Sequence, residues 1–399
     1  LIKTRGCDRR LVIASSCFFL VCYWKGGVVL KRFSLMIGFM LLFMVGKCQA
    51  EELKLDVDRF NQQVKLFEVG RIAYMPEMRV LFYYAPQLSE SGVIYDLVRK
   101  QALSVGKKGN GPDQFKSFRD AFTDGSYFYL YDIRSAKLLT YTYQGNSTKL
   151  DDIIPVKKMG MEFDFGERDF LGKMGDKWIV QNTVYRDLPH IKKSYSKFPI
   201  TADTYIGTLN ADFTGYNQLI QVKGKEYPQI CQSYDNCMCR VEGEHYIVQL
   251  AAVNFNTALK KMTIPVTHIK TRKTTSITID IPDKYAYYQP KAVGNGSDWR
   301  QKQSKYKYVP KGARFFGLDE QYYFCYFHYN NDESFDILYN VLNFQSMTIT
   351  QYEQKNAVMK PMIADAENIA FLNEDDPDTC KLVLSPKTVI LGSKIKAYE

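Results

Sequence analysis

One arrangement of polar and apolar positions recurs along the chain. A polar turn is followed at once by aromatic and β-branched residues, and a further strand-like run comes after. It reads Asp124-Gly125-Ser126-Tyr127-Phe128-Tyr129, then Gly175-Asp176-Lys177-Trp178-Ile179-Val180, then Glu242-Gly243-Glu244-His245-Tyr246-Ile247-Val248, then Asp319-Glu320-Gln321-Tyr322-Tyr323-Phe324. Weaker copies stand at "PEMRVLFYY" near residue 80 and "DAENIAFLN" near residue 370. The runs "KLLTYTY", "LKKMTIPVTHI", "FDILYNVLNF" and "KLVLSP" follow four of these turns. Short β-branched and aromatic runs bounded by Gly and Asp predict antiparallel strands. Helical periodicity is confined to two pieces, near 58–67 and 354–360, which are predicted as helical decorations on loops.

With Gly125, Gly175, Gly243 and Glu320 as markers, the repeat intervals are 50, 68 and 77 residues. Irregular periods of this size fit the blades of a propeller with long loops. A small twisted sheet cannot bury both of its faces alone, so such sheets stack around a central channel. About six units fit between residue 53 and the C-terminus. The expected fold is all-β, a six-bladed β-propeller, with a seven-bladed ring as the alternative. No proline-rich linker divides the body, so residues 51–399 are read as a single domain. "GNGSDWRQKQSKYKY" (294–308) is read as a surface insertion.

Residues 1–50 are read as a leader. The segment "KRFSLMIGFMLLFMVGKCQA" opens on Lys31-Arg32 and continues with a 13-residue apolar run, Phe33 to Val45. That is the layout of a secretory signal and is too short to span a bilayer. The earlier run "LVIASSCFFLVCYW" is also too short, and a helical membrane hairpin is the rival reading. The chain opens on Leu, which places the expected start of translation further along, near Val28–Leu30. "VGKC" resembles a lipobox and makes Cys48 a candidate for lipid attachment; ordinary cleavage before Glu51 is the alternative. The formal charge of +10 is concentrated here: residues 1–47 carry +7, leaving 45 basic against 42 acidic side chains in the body. A body of that balance has no basic stripe of the kind that binds nucleic acid.

Cysteine usage agrees with export. Cys231, Cys237 and Cys239 cluster in "CQSYDNCMC", and a loop disulfide between two of them is expected. The four histidines stand too far off in sequence to complete a recognised zinc spacing. Cys325, inside "YYFCYFHY", is read as a buried strand thiol. There is no Gly-x-Ser-x-Gly elbow and no His-Glu-x-x-His. "NEDDPD" (373–378) lacks the glycine and distal glutamate of an EF-hand and reads as a solvated turn.

The stretch "SVGKKGNGPDQFKSF" (104–118) places Gly106, Gly109 and Gly111 around two lysines. It fails as a P-loop, since no Gly-Lys-Ser/Thr follows. It fails as a dinucleotide fingerprint too, since Gln114 stands at the third glycine position and a strand-like run follows. The spacing in "GNGPDQFKSFRDAFTDGSYFYLYDIRSAKLLTYTYQG" is similar to NHL-type propeller repeats. Phe115, the Asp124-Gly125 turn, Asp132, Lys137, Leu138 and Tyr141 fall at matching positions, while Phe118 and Asp120 replace a proline and a glycine. Together with the leader and the irregular blades, the chain resembles the TolB-like six-bladed propeller families of Bacteroidetes. That resemblance implies fold and export, and no activity. As a structural crossing between blades, the loop asks Gly109 and Gly111 for positive φ, Pro112 for stiffness and Phe115 to plug a seam. Asp132 is expected to accept turn N–H bonds.

The leading functional reading is a non-enzymatic binding or scaffolding propeller. It is exported to the periplasm or outer membrane, monomeric, and touches the membrane only through an N-terminal lipid. Its partner is an envelope protein, a peptide or a glycan, with no nucleic acid and no nucleotide. The alternative is an exported hydrolase or lactonase with a metal in the central channel, and a membrane-bound sensor is the third reading. No cofactor motif is present; a calcium ion held in the channel by residues from different blades stays open, because fold does not fix function.

Overall fold

The middle strands of this protein are apolar on both faces, and that dictates the architecture. The computed structural model describes residues 53–67, 70–85, 89–156, 166–185, 200–222, 226–227, 235–250, 261–285, 313–330, 334–374, 380–391 and 394–399. In the strand Val80–Tyr84, every residue is buried. Val80, Phe82 and Tyr84 enter one core cluster while Leu81 and Tyr83 enter another. A strand that alternates between two cores must lie in a sheet covered on both sides.

Six antiparallel sheets meet this need by stacking in a ring. Blade 1 holds β1 Arg71–Met75, β2 Val80–Tyr84, β3 Gly92–Asp96 and β4 Gln101–Val105. Blade 2 holds β5 Phe118–Thr123, β6 Tyr127–Asp132, β7 Lys137–Tyr143 and β8 Thr148–Pro155. Blade 3 holds β9 Gly166–Met174, β10 Lys177–Tyr185, β11 Ile200–Leu209 and β12 Asn217–Val222, with β13 Glu226–Tyr227 also pairing with β11. Blade 4 holds β14 Asp235–Val241, β15 Glu244–Leu250, β16 Lys261–His268 and β17 Thr274–Asp280. Blade 5 holds β18 Ala313–Phe316, β19 Tyr322–Tyr329, β20 Phe335–Asn343 and β21 Thr348–Ala357. Blade 6 holds β22 Lys360–Ala364, β23 Asn368–Asn373 and β24 Lys381–Pro386.

Each seam between neighbouring blades has its own apolar cluster. Phe82, Phe115, Phe128 and Leu130 fill seam 1–2, and Tyr129, Phe170 and Trp178 fill seam 2–3. Ile179, Ile206 and Ile247 fill seam 3–4, and Val248, Ile264, Phe324 and Leu338 fill seam 4–5. Tyr323, Ile337 and Phe371 fill seam 5–6, and Phe60, Leu81, Tyr95 and Leu372 close the ring at seam 6–1. The six polar–aromatic turns read from the sequence are the six turns between first and second strands. They share one face of the ring, here the inner-turn face. The loops that pass from blade to blade share the opposite, crossing face.

The segments on either side of the blades finish the ring. The C-terminal strand β25, Lys394–Tyr398, pairs with β21 and becomes a fifth strand of blade 5. The helix α1, Val57–Gln63, is capped by Asp56, whose side chain accepts the Arg59 N–H, and buries Phe60 in seam 6–1. It also carries two amide side chains that act as short strands. Asn61 donates to the Leu382 carbonyl at 2.8 Å and accepts the Leu382 N–H at 2.9 Å. Gln63 donates to the Lys100 carbonyl at 2.9 Å and accepts the Ala102 N–H at 2.8 Å. One helix thus covers the open edges of both blade 6 and blade 1, edges that otherwise invite pairing with other chains. A short helix α2, Lys387–Ile390, follows β24.

Two expectations are corrected. The piece 354–360 is not helical: it spans the end of β21 and the start of β22, because Ala357 pairs with Phe335 and packs into seam 5–6. The left-handed residue of the glycine loop is Gly106, at φ +70°, while Gly109 and Gly111 lie outside that region. The insertion 294–308 falls outside the described residues, as do positions 375–379 of the acidic turn. Its described glutamate, Glu374, pairs with Lys360 at 3.0 Å. Among the described residues no helix is long and apolar enough to cross a membrane.

Candidate functional site

The turn between first and second strands carries an acid in every blade; in blade 3 it is Asp176, which is exposed. In four blades the acid turns sideways, toward the next part of the ring. Asp124 of blade 2 accepts the N–H groups of Ser126 and Tyr127 at 3.0 and 2.9 Å with one oxygen. Its other oxygen takes the Tyr129 hydroxyl at 2.8 Å and Lys173 of blade 3 at 3.1 Å. Lys173 also lies 5.1 and 5.0 Å over the rings of Tyr129 and Trp178. Asp319 of blade 5 repeats the scheme, with the Tyr323 hydroxyl at 2.5 Å and Lys387 of α2 at 2.6 Å. Asp365 of blade 6 accepts from Glu367 and Asn368 of its own turn and from the Leu55 N–H. Glu242 of blade 4 accepts from the Gln345 amide of blade 5 at 2.9 Å.

Blade 1 is different. Glu77 meets Arg240 of blade 4 at 3.4 Å. Blades 1 and 4 stand opposite each other in the ring, so this ion pair spans the mouth. Tyr74 of β1 stacks on Phe316 of β18 at 6.2 Å beside it, and these also belong to blades that share no seam. The turn of blade 2 comes close here too. A Cβ on Gly125, at φ +91°, would sit 3.5 Å from the Glu77 Cβ.

Electrostatics separate these acids. Burial raises the pKa of Asp124, but hydrogen bonds from the Tyr127 N–H, the Tyr129 hydroxyl, Ser126 and Lys173 outweigh it, and the net shift is down. For Glu77 burial dominates, the Asp124 charge adds to it, and the carboxyl is raised despite Arg240. Burial followed by the nearby Glu242 charge raises Glu320. Burial, then the Arg240 charge, lowers His245, the cross-strand partner of Arg240. The mouth is therefore a partly desolvated place, where local donors hold Asp124 down and burial raises Glu77 and Glu320.

No protein-family model matches the chain, and no curated protein matches it. Among solved structures, the crystal structure of a nidogen/laminin complex matches 71% of this chain and 78% of that chain, at 8% identity and a TM-score of 0.35.

The residues singled out in the sequence lie elsewhere. The glycine loop is the crossing from β4 to β5, on the crossing face. Its N–H groups are used internally: Gly109 donates to the Phe115 carbonyl at 2.9 Å and Gly111 to the Gln114 side chain at 2.9 Å. Lys137 donates to the Pro112 carbonyl at 2.6 Å. A phosphate cradle needs free N–H groups, and strand β5 follows this loop where such a cradle needs a helix. Phe115 is fully buried and stacks on Phe118 at 3.5 Å in seam 1–2. Asp132 is also fully buried and accepts the N–H groups of Lys116, Ser117, Arg134 and Ser135, which ties the crossing to the β6–β7 turn. Cys237 and Cys239 stand on one face of β14 with sulfurs 3.9 Å apart, both as thiols, and burial pushes the Cys239 thiol well up. Cys325 is buried and its thiol is raised for the same reason. Cys48 and Cys231 fall outside the described residues. Glu77 and Arg240 were missed. The available signal was that all six turns, once aligned, carry an acid.

Proposed function

We propose that this chain is an exported β-propeller that serves as a binding or scaffolding module for an envelope protein, a peptide or a glycan. In this reading the segment before Leu53 directs export, and Cys48 carries a lipid that holds the body at the envelope. The observation that carries the reading is the Glu77–Arg240 pair across the channel mouth. With the Tyr74–Phe316 stack beside it, the centre of the ring is occupied by the protein's own side chains. What remains to meet a partner is a broad surface of turns, which is how stacked-blade folds present binding faces.

The test uses the purified full chain against envelope extracts, cell-wall glycan fragments and short peptides, with binding and turnover measured side by side. Saturable binding without turnover supports the reading. Hydrolysis of ester or lactone substrates that disappears on chelation, and returns with a divalent ion, would overturn it. Intact mass of the mature protein checks the export step: retention of residues 1–47 contradicts both a lipid at Cys48 and ordinary signal cleavage.

A further inference from the structure

Resting on the lipid-anchored reading above, we propose that the rim where α1 begins, between blades 6 and 1 on the inner-turn face, lies against a phospholipid surface. The crossing face then points away from the bilayer and is the one left open to partners.

The first described residues are fixed to this rim by three contacts. Lys54 pairs with Glu367 of the blade 6 inner turn at 2.8 Å. The Leu55 N–H reaches Asp365 of the same turn. Asp56 pairs with Lys100, which closes the β3–β4 turn of blade 1, at 2.9 Å. Cys48 lies five residues before Leu53. Five extended residues span at most about 18 Å. The strands beside α1 that separate the two faces, β4 and β24, run five and six residues. At ~3.3 Å per residue that is roughly 17–20 Å before the turns at either end are added. A bilayer that holds a lipid on Cys48 is therefore well within reach of the inner-turn rim, whereas the crossing face stands at or past the tether's full extension.

The chemistry of the rim suits that neighbour. Val98 is 59% exposed in the turn closed by Lys100, and Val389 is 73% exposed in α2. The first residue of α2, Lys387, donates its N–H to the Glu367 carbonyl, so both valines flank the point where the chain enters. Exposed Arg99 and Lys100 stand beside Val98, each 2.9 Å from an acid, Asp96 and Asp56, that a phosphate would have to displace. Apolar residues bordered by long cations are the composition that settles into a headgroup layer, with the cations reaching back to phosphates. The crossing face shows exposed Lys107, Lys116 and Arg134, and its exposed apolar residues Ile133 and Val358 sit on separate blades. The tether decides between the faces; the valines say what the rim meets.

Lysine acetylation read by mass spectrometry tests the orientation without any substitution. The full chain is labelled in opened membranes from expressing cells and again after the membranes are dissolved in mild detergent. Lys54 and Lys100 should label several-fold less in the membranes than in detergent, with Lys107 and Lys116 equal in both. The Val98→Asp/Val389→Asp double variant should remain in the membrane fraction and lose that protection. Equal labelling of Lys54 and Lys100 in a membrane-bound chain, or protection of Lys107 and Lys116 in their place, overturns the orientation while leaving the anchor standing. Recovery of the chain in the soluble fraction, with a mature N-terminus beyond residue 48, overturns the anchor and the orientation with it. Cys48→Ser should produce that soluble form from a chain that is otherwise anchored.

Discussion

Asp124 and Glu77 sit in the same turn of neighbouring blades, close enough that a Cβ on Gly125, the residue after Asp124, would touch the Glu77 Cβ. Their fates differ because their side chains differ in length and in what lies within reach. The short aspartate folds back on the N–H groups of its own turn, then collects a tyrosine hydroxyl and a lysine from the next blade. The glutamate reaches past its turn into the channel, where Arg240 meets it. One acid stiffens a seam between adjacent blades and is held ionised by its donors. The other bridges two blades that share no seam and is held against its own burial. The lesson is that a repeated turn supplies a repeated charge, and the local supply of donors decides what the charge does.

The largest expected effect is at Asp319, the more buried of the two lysine-paired latches, with side chains 15% and 8% exposed for Lys387 and Asp319. Lys387→Met leaves a buried carboxylate with only the Gln321 N–H and the Tyr323 hydroxyl and should cost about 3–5 kcal/mol in urea unfolding, the range for breaking one side of a buried pair. Lys173→Met should cost less, about 2 kcal/mol, because Asp124 keeps two N–H groups and a tyrosine hydroxyl. A cost equal to that of Lys387→Met would show that the turn's own donors contribute nothing. Glu77→Gln should change stability by less than about 1 kcal/mol, because the burial penalty goes with the charge and offsets the lost attraction to Arg240. A loss as large as at Lys173 would place Glu77 among the latches.

The smallest effect, and the one that separates the two acids by sign, is in pH dependence. Asp124 is lowered from 3.8, so its contribution is present above that value and is lost as pH falls through the folded pKa. Glu77 is raised from 4.5, so its contribution is present below that value and is lost as pH rises through the folded pKa. Thermal melts from neutral pH down past 4 should show the parent gaining on Glu77→Gln as the solution is acidified toward about 4.5. Against Asp124→Asn, the parent should lose ground only below about 4. Parallel curves for the two variants would remove the electrostatic distinction drawn between them.

The ring was legible in the sequence because its unit is local. Asp124-Gly125 and Glu242-Gly243 announce turns, and the aromatic runs behind them announce strands covered on both faces. All six inner turns can be picked out this way, including the weak copies at residues 76–84 and 365–373. The mouth was not legible, because Glu77 and Arg240 are brought together by ring closure across 163 residues. Local chemistry also misplaced the left-handed glycine. The loop reads as if Gly109 and Gly111 turn the chain, yet the reversal falls on Gly106, where the Phe115 and Phe118 rings leave little room for a side chain. At residues 354–360 helix-forming residues lost to tertiary pairing: β21 has a partner in β20, and that pairing outweighs propensity.

The two amides of α1 also set an order of events. Gln63 grips a strand 39 residues downstream, while Asn61 grips one 321 residues away. Loop closure favours the nearer contact first. The helix can dock on blade 1 as soon as that blade exists and then hold Asn61 out as a waiting template. The last blade, when it arrives, finds its edge partner already in place. Closure of the ring is then a docking step onto a prepared surface, and the slow, long-range pairing expected of such a topology is confined to its final stage.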